Sequence, residues 1–200
     1  MRERVLTTLD HCEPDTVPLT ELSIDPPHME TLAGRKLERD SSTAIQVAAS
    51  RRKEMVRIEM IFRCYKKLGF ELIPCDVSTP DEWEATKNAD GSITDEWGRI
   101  LRFDAQASTW SPFPSQGIFH TPEDFEKFAS PDPESPGRLF ELEHMRKLAD
   151  DNFAVAVLLR EPFTSAYEIL TMNRFVQWLY EKPALIKKTI DRLTDLMLPS

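Results

Sequence analysis

Residues able to bind a substrate follow an apolar run late in the sequence. Residues 153–159, FAVAVLL, are followed directly by Arg160 and Glu161, and Thr164 comes shortly after. An arginine can hold a carboxylate through paired hydrogen bonds, and a carboxylate can hold a proton or a metal. Arg160, Glu161 and Thr164 are therefore candidate substrate-binding residues. The alternatives are ion pairs with neighbouring residues for the two charges and a helix cap for Thr164.

A second apolar run, residues 70–77, contains Cys75 followed by a carboxylate, Asp76. At the carboxyl end of a parallel strand this carboxylate would lie where such folds bind ligands, so Asp76 is the candidate catalytic residue. A turn cap is the alternative for Asp76, and Cys75 is more typical of a buried small residue than of a ligand. His28, just after two prolines, is a further substrate-binding candidate, with an ordinary surface residue as the alternative.

The elements that position these residues can be predicted from periodicity and punctuation. Helical spacing of apolar residues predicts helices over 2–9, 54–68, 139–149, 165–180 and from 182 onward, and a further helix starting near Thr121. Parallel strands are predicted over 17–24, 70–77 and 153–159, and a β-hairpin over 91–104. In the 165–180 helix, Ser165 and Glu168 fit a capping box, which predicts a start at Ser165.

The alternation of helices with buried strands predicts an α/β fold. Three strands can hardly close a barrel or complete an open sheet. We therefore expect that the 200-residue chain is the amino-terminal part of something longer.

Composition excludes several classes of protein. Hydrophobic residues make up 40% of the chain and charged residues 30%, as in ordinary globular proteins. The net charge of -9 argues against a nucleic-acid partner. No apolar stretch approaches the roughly 18 residues of a membrane helix, and no signal peptide is evident. Three cysteines without CxxC spacing argue against a disulfide framework. These features predict a cytoplasmic protein.

Three segments resemble the uroporphyrinogen decarboxylase family: RERVLTTLDHCEPDTVP at 2–18, DEWGRILRF at 95–103, and LREPFTSAYEIL at 159–170 with the helices beyond it. The resemblance implies a (β/α)8 TIM barrel. Residues 1–200 would form one partial domain of it, with 91–104 as a β-hairpin insertion. Active sites of such barrels lie at the carboxyl ends of the strands, which would direct Arg160 and Glu161 towards the substrate.

The family contains two chemistries, and the resemblance favours one of them. One branch decarboxylates the acetate side chains of uroporphyrinogen in porphyrin biosynthesis, and the other moves methyl groups between corrinoid proteins and thiols. The decarboxylases carry an Arg-Gln-Ala-Gly-Arg segment after the first strand, where this chain has only Arg35. Their tyrosine would fall at Glu168, whereas Asp76 matches their strand-end aspartate. Two of these three features fail, so the methyltransferase-like branch is preferred.

The resemblance also implies cofactors and partners. The methyltransferases bind zinc through a His-x-Cys pair and a later cysteine. This chain has no His-x-Cys, so any such ligands would lie beyond Ser200 and no metal ligand is assigned here. A decarboxylase would need no cofactor. The expected partners are a small-molecule or corrinoid substrate and a corrinoid protein.

A third reading is a non-catalytic paralogue or binding module. Such a protein would cover its apolar edge by forming a homodimer. The sequence therefore leaves open whether the chain is an enzyme.

Overall fold

The computed structural model describes residues 1–37, 51–81, 83–104, 109–110 and 117–197. The helices within these ranges are α1 Arg2–Leu9, α2 Pro26–Ala33, α3 Arg51–Leu68, α4 Pro122–Lys127, α5 Phe140–Ala149, α6 Pro162–Leu170, α7 Met172–Glu181 and α8 Pro183–Met197. The strands are β1 Leu72–Asp76, β2 Thr86–Lys87, β3 Ile93–Thr94, β4 Ile100–Leu101, β5 Phe103–Asp104, β6 Thr109–Trp110 and β7 Ala154–Leu158.

The chain folds into two compact units. Unit 1 comprises Met1–Pro80 and Pro136–Leu158, and unit 2 comprises Asp81–Ser135 and Leu159–Ser200. The boundary between β7 and α6 therefore separates Leu158 from Leu159, directly before the charged residues that follow the strand.

Unit 1 is built around the parallel pair of β1 and β7. Leu72 lies opposite Ala154, and Asp76 lies opposite Leu158. Helices α3 and α5 pack against the strands in one core, whose fully buried apolar side chains include Ile58 and Cys64 of α3, Ile73 of β1 and Met145 of α5. This confirms two of the predicted parallel strands, each a little shorter than the apolar run that encodes it.

The prediction of a third strand over 17–24 is wrong. The structure has no strand there, and Val17, Leu19 and Leu22 are exposed. Pro18 within the run has no backbone N–H to donate to a ladder. The segment is attached to the start of β1 at two points: the Glu71 N–H donates to the Leu19 carbonyl at 2.9 Å, and the Thr20 hydroxyl donates to the Leu72 carbonyl at 2.7 Å.

Among the described residues, unit 2 combines short antiparallel strands with four helices. β3 pairs with both β2 and β4, and the turn between β3 and β4 is the hairpin expected within 91–104. Helices α6, α7 and α8 share one apolar core with α4, through residues such as Ile169, Phe175 and Leu193. That the hairpin is an insertion in a barrel stays a prediction.

In place of the single helix predicted over 165–180, the structure has two helices, α6 and α7, and α6 begins earlier than predicted. α6 begins at Pro162 with Glu161 as its N-cap, because proline is well suited to the first helical turn. It ends at Leu170, because the next residue, Thr171, has a φ of 71° that interrupts the helix before α7. The prediction that Ser165 and Glu168 form a capping box is therefore wrong, because both residues lie inside α6.

The fold class is confirmed as mixed α/β. In the described ranges the strands form two two-stranded sheets and one three-stranded sheet, and none of these closes into a barrel. No helix among the described residues is long and apolar enough to cross a membrane.

Candidate functional site

The hairpin of unit 2 buries an ion pair at its turn. The Arg99 Nε atom donates to Asp95 Oδ2 at 2.7 Å, and the backbone N–H groups of Arg99 and Trp97 donate to Asp95 Oδ1 at 2.8 and 3.0 Å. The side chains of Arg99 and Asp95 are only 5% and 0% exposed. The DEWGR sequence therefore folds into a turn whose aspartate organises the backbone and whose arginine projects a buried charge.

The side chain of Glu168, in the middle of α6, is the second partner of Arg99. One carboxylate oxygen accepts a hydrogen bond from Arg99, and the other accepts one from Arg160. The Glu168 side chain is 1% exposed, whereas that of Arg160 is 46% exposed. We call Asp95, Arg99, Glu168 and Arg160 the arginine–glutamate network. Its two arginines balance its two carboxylates, and Arg160 is its solvent-facing end.

The electrostatics keep Arg160 charged. Partial burial disfavours its charge, but the hydrogen bond and the charge of Glu168 outweigh burial and raise the pKa of Arg160. Beside it, the Thr164 hydroxyl donates to the exposed Glu161 carboxylate, and this hydrogen bond lowers the pKa of Glu161. Three of the predicted site residues thus lie together in unit 2, as a charged guanidinium and a carboxylate–hydroxyl pair. Thr164 is a buried partner of Glu161.

Asp76 lies in unit 1 as the last residue of β1, half-buried. Arg57 of α3 donates to Glu141 of α5, which is buried. Burial disfavours the charge on Arg57, but the charges of Glu141 and Asp76 outweigh it and raise the pKa of Arg57. Burial also raises the pKa of Glu141, against the opposing effect of Arg57. Asp76 therefore belongs to a cluster of two carboxylates around one guanidinium.

A second set of polar contacts extends this cluster beyond the end of β1. The Ser78 hydroxyl donates to Glu54 at 2.7 Å and accepts from the backbone N–H of Glu141 at 3.1 Å. Arg51, paired with Glu54, donates to the Thr79 carbonyl at 3.0 Å. The first turns of α3 and α5 are thereby fixed to the carboxyl end of the strand.

The remaining two residues considered in the sequence, Cys75 and His28, are a buried thiol and an exposed imidazole. Burial raises the pKa of the Cys75 thiol to about 12, so it remains a neutral, buried thiol near pH 7. His28 lies exposed in the first turn of α2. The catalytic role of Asp76 and the binding roles of Arg160, Glu161, Thr164 and His28 stay predictions.

Sequence reasoning missed the partners of the predicted site residues. The missed partners are Arg99 and Asp95 in the hairpin, Glu168 in α6, and Arg57 and Glu141 in unit 1. One signal was available, because Glu168 is the only charged residue in the sequence of α6 and stands directly before Ile169 and Leu170. A charged residue in such surroundings needs a partner.

The described residues contain no group of three or more His, Cys, Asp or Glu side chains that could hold a metal ion. The described residues therefore do not form a zinc site.

The fold of the chain is similar to that of a solved structure. A solved structure of a methyltransferase from Methanosarcina mazei superposes with a TM-score of 0.55 and 14% sequence identity. The match covers 98% of this chain and 52% of that one, so this chain spans about half the length of that protein. At this identity the likeness concerns the fold alone.

The sequence of the second half of the chain matches a known protein family. Residues 101–199 match the family described as Uroporphyrinogen decarboxylase (URO-D). This match confirms the predicted resemblance to the uroporphyrinogen decarboxylase family over that part of the chain. No curated protein matches the sequence significantly.

Proposed function

We propose that this chain is the amino-terminal part of a (β/α)8 barrel of the uroporphyrinogen decarboxylase family, with residues 91–104 as a hairpin insertion. The parallel pairing of β1 with β7 supports this proposal. The family match over residues 101–199 and the half-length alignment with a larger methyltransferase support it too.

Within the family we assign the protein to the methyltransferase-like branch, which transfers methyl groups between a corrinoid and a thiol. The observation that carries this assignment is the state of Glu168, at the place where the decarboxylases have a tyrosine. Its buried carboxylate is committed to Arg99 and Arg160 and has 1% of its side chain exposed. A carboxylate held in this way cannot supply a phenol-like donor to a substrate.

In this proposal Arg160 binds an anionic group of a small-molecule or corrinoid substrate. Its guanidinium is charged and partly exposed, and Glu168 fixes its orientation, so it can offer further N–H donors in a defined geometry. Glu161 and Thr164 flank it in unit 2. Within unit 1, Asp76 is the proposed catalytic residue and His28 a further proposed binding residue. Zinc would have to be bound by residues other than those described. A corrinoid protein would be the second partner.

A second candidate is decarboxylation of tetrapyrrole side chains, which the position of Asp76 favours. Its carboxylate stands at the end of a parallel strand, where it would stabilise positive charge developing on a pyrrole nitrogen. The single Arg35 near the first loop counts against this candidate, since the decarboxylases use two arginines there to hold the substrate carboxylates.

The test uses the native polypeptide at its full length and the substitution Arg160→Lys. Lysine keeps the charge next to Glu168 but loses the planar fork of donors. We expect the KM for the anionic substrate of methyl transfer to rise about 10-fold with kcat nearly unchanged, as for the loss of one charge-assisted hydrogen bond. Arg102→Lys is the matched control, because Arg102 is an exposed arginine paired with Asp90. Equal effects of the two substitutions would remove Arg160 from the site.

A further inference from the structure

Unit 1 contains a buried ion pair that the proposed function does not yet use. Arg57 of α3 donates to the carboxylate of Glu141 in α5, and their side chains are 17% and 2% exposed. Taking two charges out of water is costly, and apolar side chains of similar volume can fill such a place without that cost. The pair therefore calls for a role beyond stability, and its position at the end of β1 supplies one.

Glu141 is fixed to the end of β1 by two backbone N–H groups. Its own N–H donates to the hydroxyl of Ser78, two residues beyond the strand, at 3.1 Å. Its carboxylate accepts a hydrogen bond from the N–H of Asp76, the last residue of β1. The carboxylate that holds Arg57 is therefore placed by the same backbone that places Asp76.

The guanidinium of Arg57 is shared between two carboxylates. Its direct hydrogen bond goes to Glu141, and it interacts with Asp76 through charge. Glu141 is buried, whereas Asp76 is half-buried. The donors of a guanidinium lie in one rigid plane, so a carboxylate that binds part of that plane also fixes the direction of the rest. Glu141 therefore determines how the charge of Arg57 lies relative to Asp76.

Two further titratable groups interact with Asp76 but carry no charge near pH 7. They are the thiol of Cys75, beside it in β1, and the phenol of Tyr65 in α3. Burial raises the pKa of each group to about 12. Neither group therefore competes with the ion pair in setting the charge around Asp76.

The other charged groups at this end of β1 have partners of their own. Glu54 of α3 also interacts with the charge of Arg57. One of its oxygens accepts from Arg51 at 2.5 Å, and the other accepts from the Ser78 hydroxyl at 2.7 Å. Arg138, just before α5, donates to the Ser78 carbonyl at 3.5 Å. With Asp76 and the buried pair, these groups comprise three guanidinium groups and three carboxylates, so their charges balance.

We propose that Glu141 is a positioning residue for Asp76. It keeps the guanidinium of Arg57 from closing onto Asp76, so that Arg57 supports the charge of that carboxylate from one side without covering it. The inference rests on the proposed catalytic role of Asp76, because a carboxylate with no contact to a substrate would need no such positioning.

Carbon-13 NMR of the Asp76 carboxyl group tests the positioning without any substrate, in the native full-length polypeptide. Glu141→Gln should move the titration of Asp76 to lower pH, because an anion is removed and Arg57 turns to the remaining carboxylate. Arg57→Met added to Glu141→Gln should move it back to higher pH, since the cation is then lost as well. Glu143→Gln is the matched control, because Glu143 is exposed on α5 and loses the same charge. An unchanged titration in Glu141→Gln, or an equal shift in the control, would overturn the proposal.

A variant that keeps the buried charge guards against a failure to fold. Arg57→Lys retains a cation for Glu141, but a lysine lacks the planar fork that holds Glu141 and faces Asp76 together. The titration of Asp76 should therefore move to higher pH. Arg63→Lys is the control, because Arg63 is exposed on the same helix. Equal titrations in these two variants would contradict the proposal.

Kinetics then show whether Glu141 acts through Asp76. In the assay of methyl transfer, Glu141→Gln should lower kcat about 10-fold and change KM by less than about twofold. In an Asp76→Asn background the same substitution should lower kcat by less than about twofold, because the group it positions is already gone. A 10-fold loss in both backgrounds would show general damage and overturn the proposal.

The two measurements separate this inference from the proposed function. If Asp76→Asn keeps its full kcat, the catalytic role of Asp76 fails, and the NMR titration still decides whether Glu141 positions the carboxylate. If Asp76→Asn is inactive and the titration ignores Glu141→Gln, Asp76 is catalytic and Glu141 is a structural residue alone.

Discussion

At the scale of single residues, Glu168 is a carboxylate that is almost completely buried and paired with two arginines. Its buried carboxylate is the shared acceptor of Arg99, which is also buried, and Arg160, which reaches solvent. Removal of one member of a buried ion pair costs more than the pair contributes, because the remaining charge keeps its desolvation penalty without compensation. Glu168 is therefore a positioning residue for Arg160 and a structural link between α6 and the hairpin.

The substitution Glu168→Gln should destabilise the protein by roughly 3 kcal/mol, since Arg99 loses half of its charge compensation while staying buried. The measurement is the denaturant midpoint at unchanged m-value. Glu181→Gln, on the exposed side of α7, is the control and should change stability by less than about 0.5 kcal/mol. If the two variants unfold at the same midpoint, the network does not stabilise unit 2 in the way described.

At the scale of elements, the break between α6 and α7 is the most unusual local feature. Thr171 adopts φ 71° and ψ 148°, a region that a β-branched residue occupies only under strain. The break redirects the chain so that Phe175 and Trp178 of α7 join Ile169 and Leu170 of α6 in one core. Packing therefore outweighs the local cost.

Thr171→Gly should stabilise the protein by about 1 kcal/mol, because glycine adopts this conformation without strain. The same substitution at Thr194, inside α8, should destabilise by about 1 kcal/mol, as glycine does within a helix. Thermal or chemical unfolding of the two variants gives opposite signs if this description is right. Two changes of the same sign would mean that Thr171 is not strained.

The elements also show where sequence reasoning succeeded and failed. The runs at 70–77 and 153–159 were predictable, because continuous apolar residues indicate a strand that is buried on both faces. The alternation at 17–24 was misleading, since Pro18 prevents a regular ladder and no periodicity records that. In the candidate site, Asp76 and Arg160 could be proposed from their positions after strands. The ion pairs around them could not be found from spacing, because Arg57 lies 84 residues from Glu141 and Arg99 lies 69 residues from Glu168.

At the scale of the whole molecule, both units contain surface carboxylates whose charge is stabilised by the fold. In unit 1, hydrogen bonds from Arg4 lower the pKa of Asp15 from 3.8 to about 2. In unit 2, hydrogen bonds from Ser92, and then Arg102, lower the pKa of Asp90 from 3.8 to about 2. A depressed pKa in the folded state means that stability is gained above the ordinary value and lost as the pH falls through the lowered one.

Stability should therefore decline as the pH falls from about 4 to about 2. The measurement is the urea midpoint as a function of pH. Asp15→Asn and Asp90→Asn should each flatten the decline in this window, and Asp151→Asn, at an exposed turn, serves as the control. A decline of unchanged steepness in both variants would show that other groups govern unfolding in acid.

The central proposal concerns the whole protein, namely that it carries out the methyl transfer of the methyltransferase-like branch of the uroporphyrinogen decarboxylase family. The most direct measurement is a paired assay of the native full-length polypeptide. One arm offers a methylated corrinoid and a thiol, and the other offers uroporphyrinogen. We expect formation of the methylated thiol and no loss of carboxyl groups from the tetrapyrrole. Decarboxylation of uroporphyrinogen without methyl transfer would contradict the account, and would make Asp76 rather than Arg160 the centre of the chemistry.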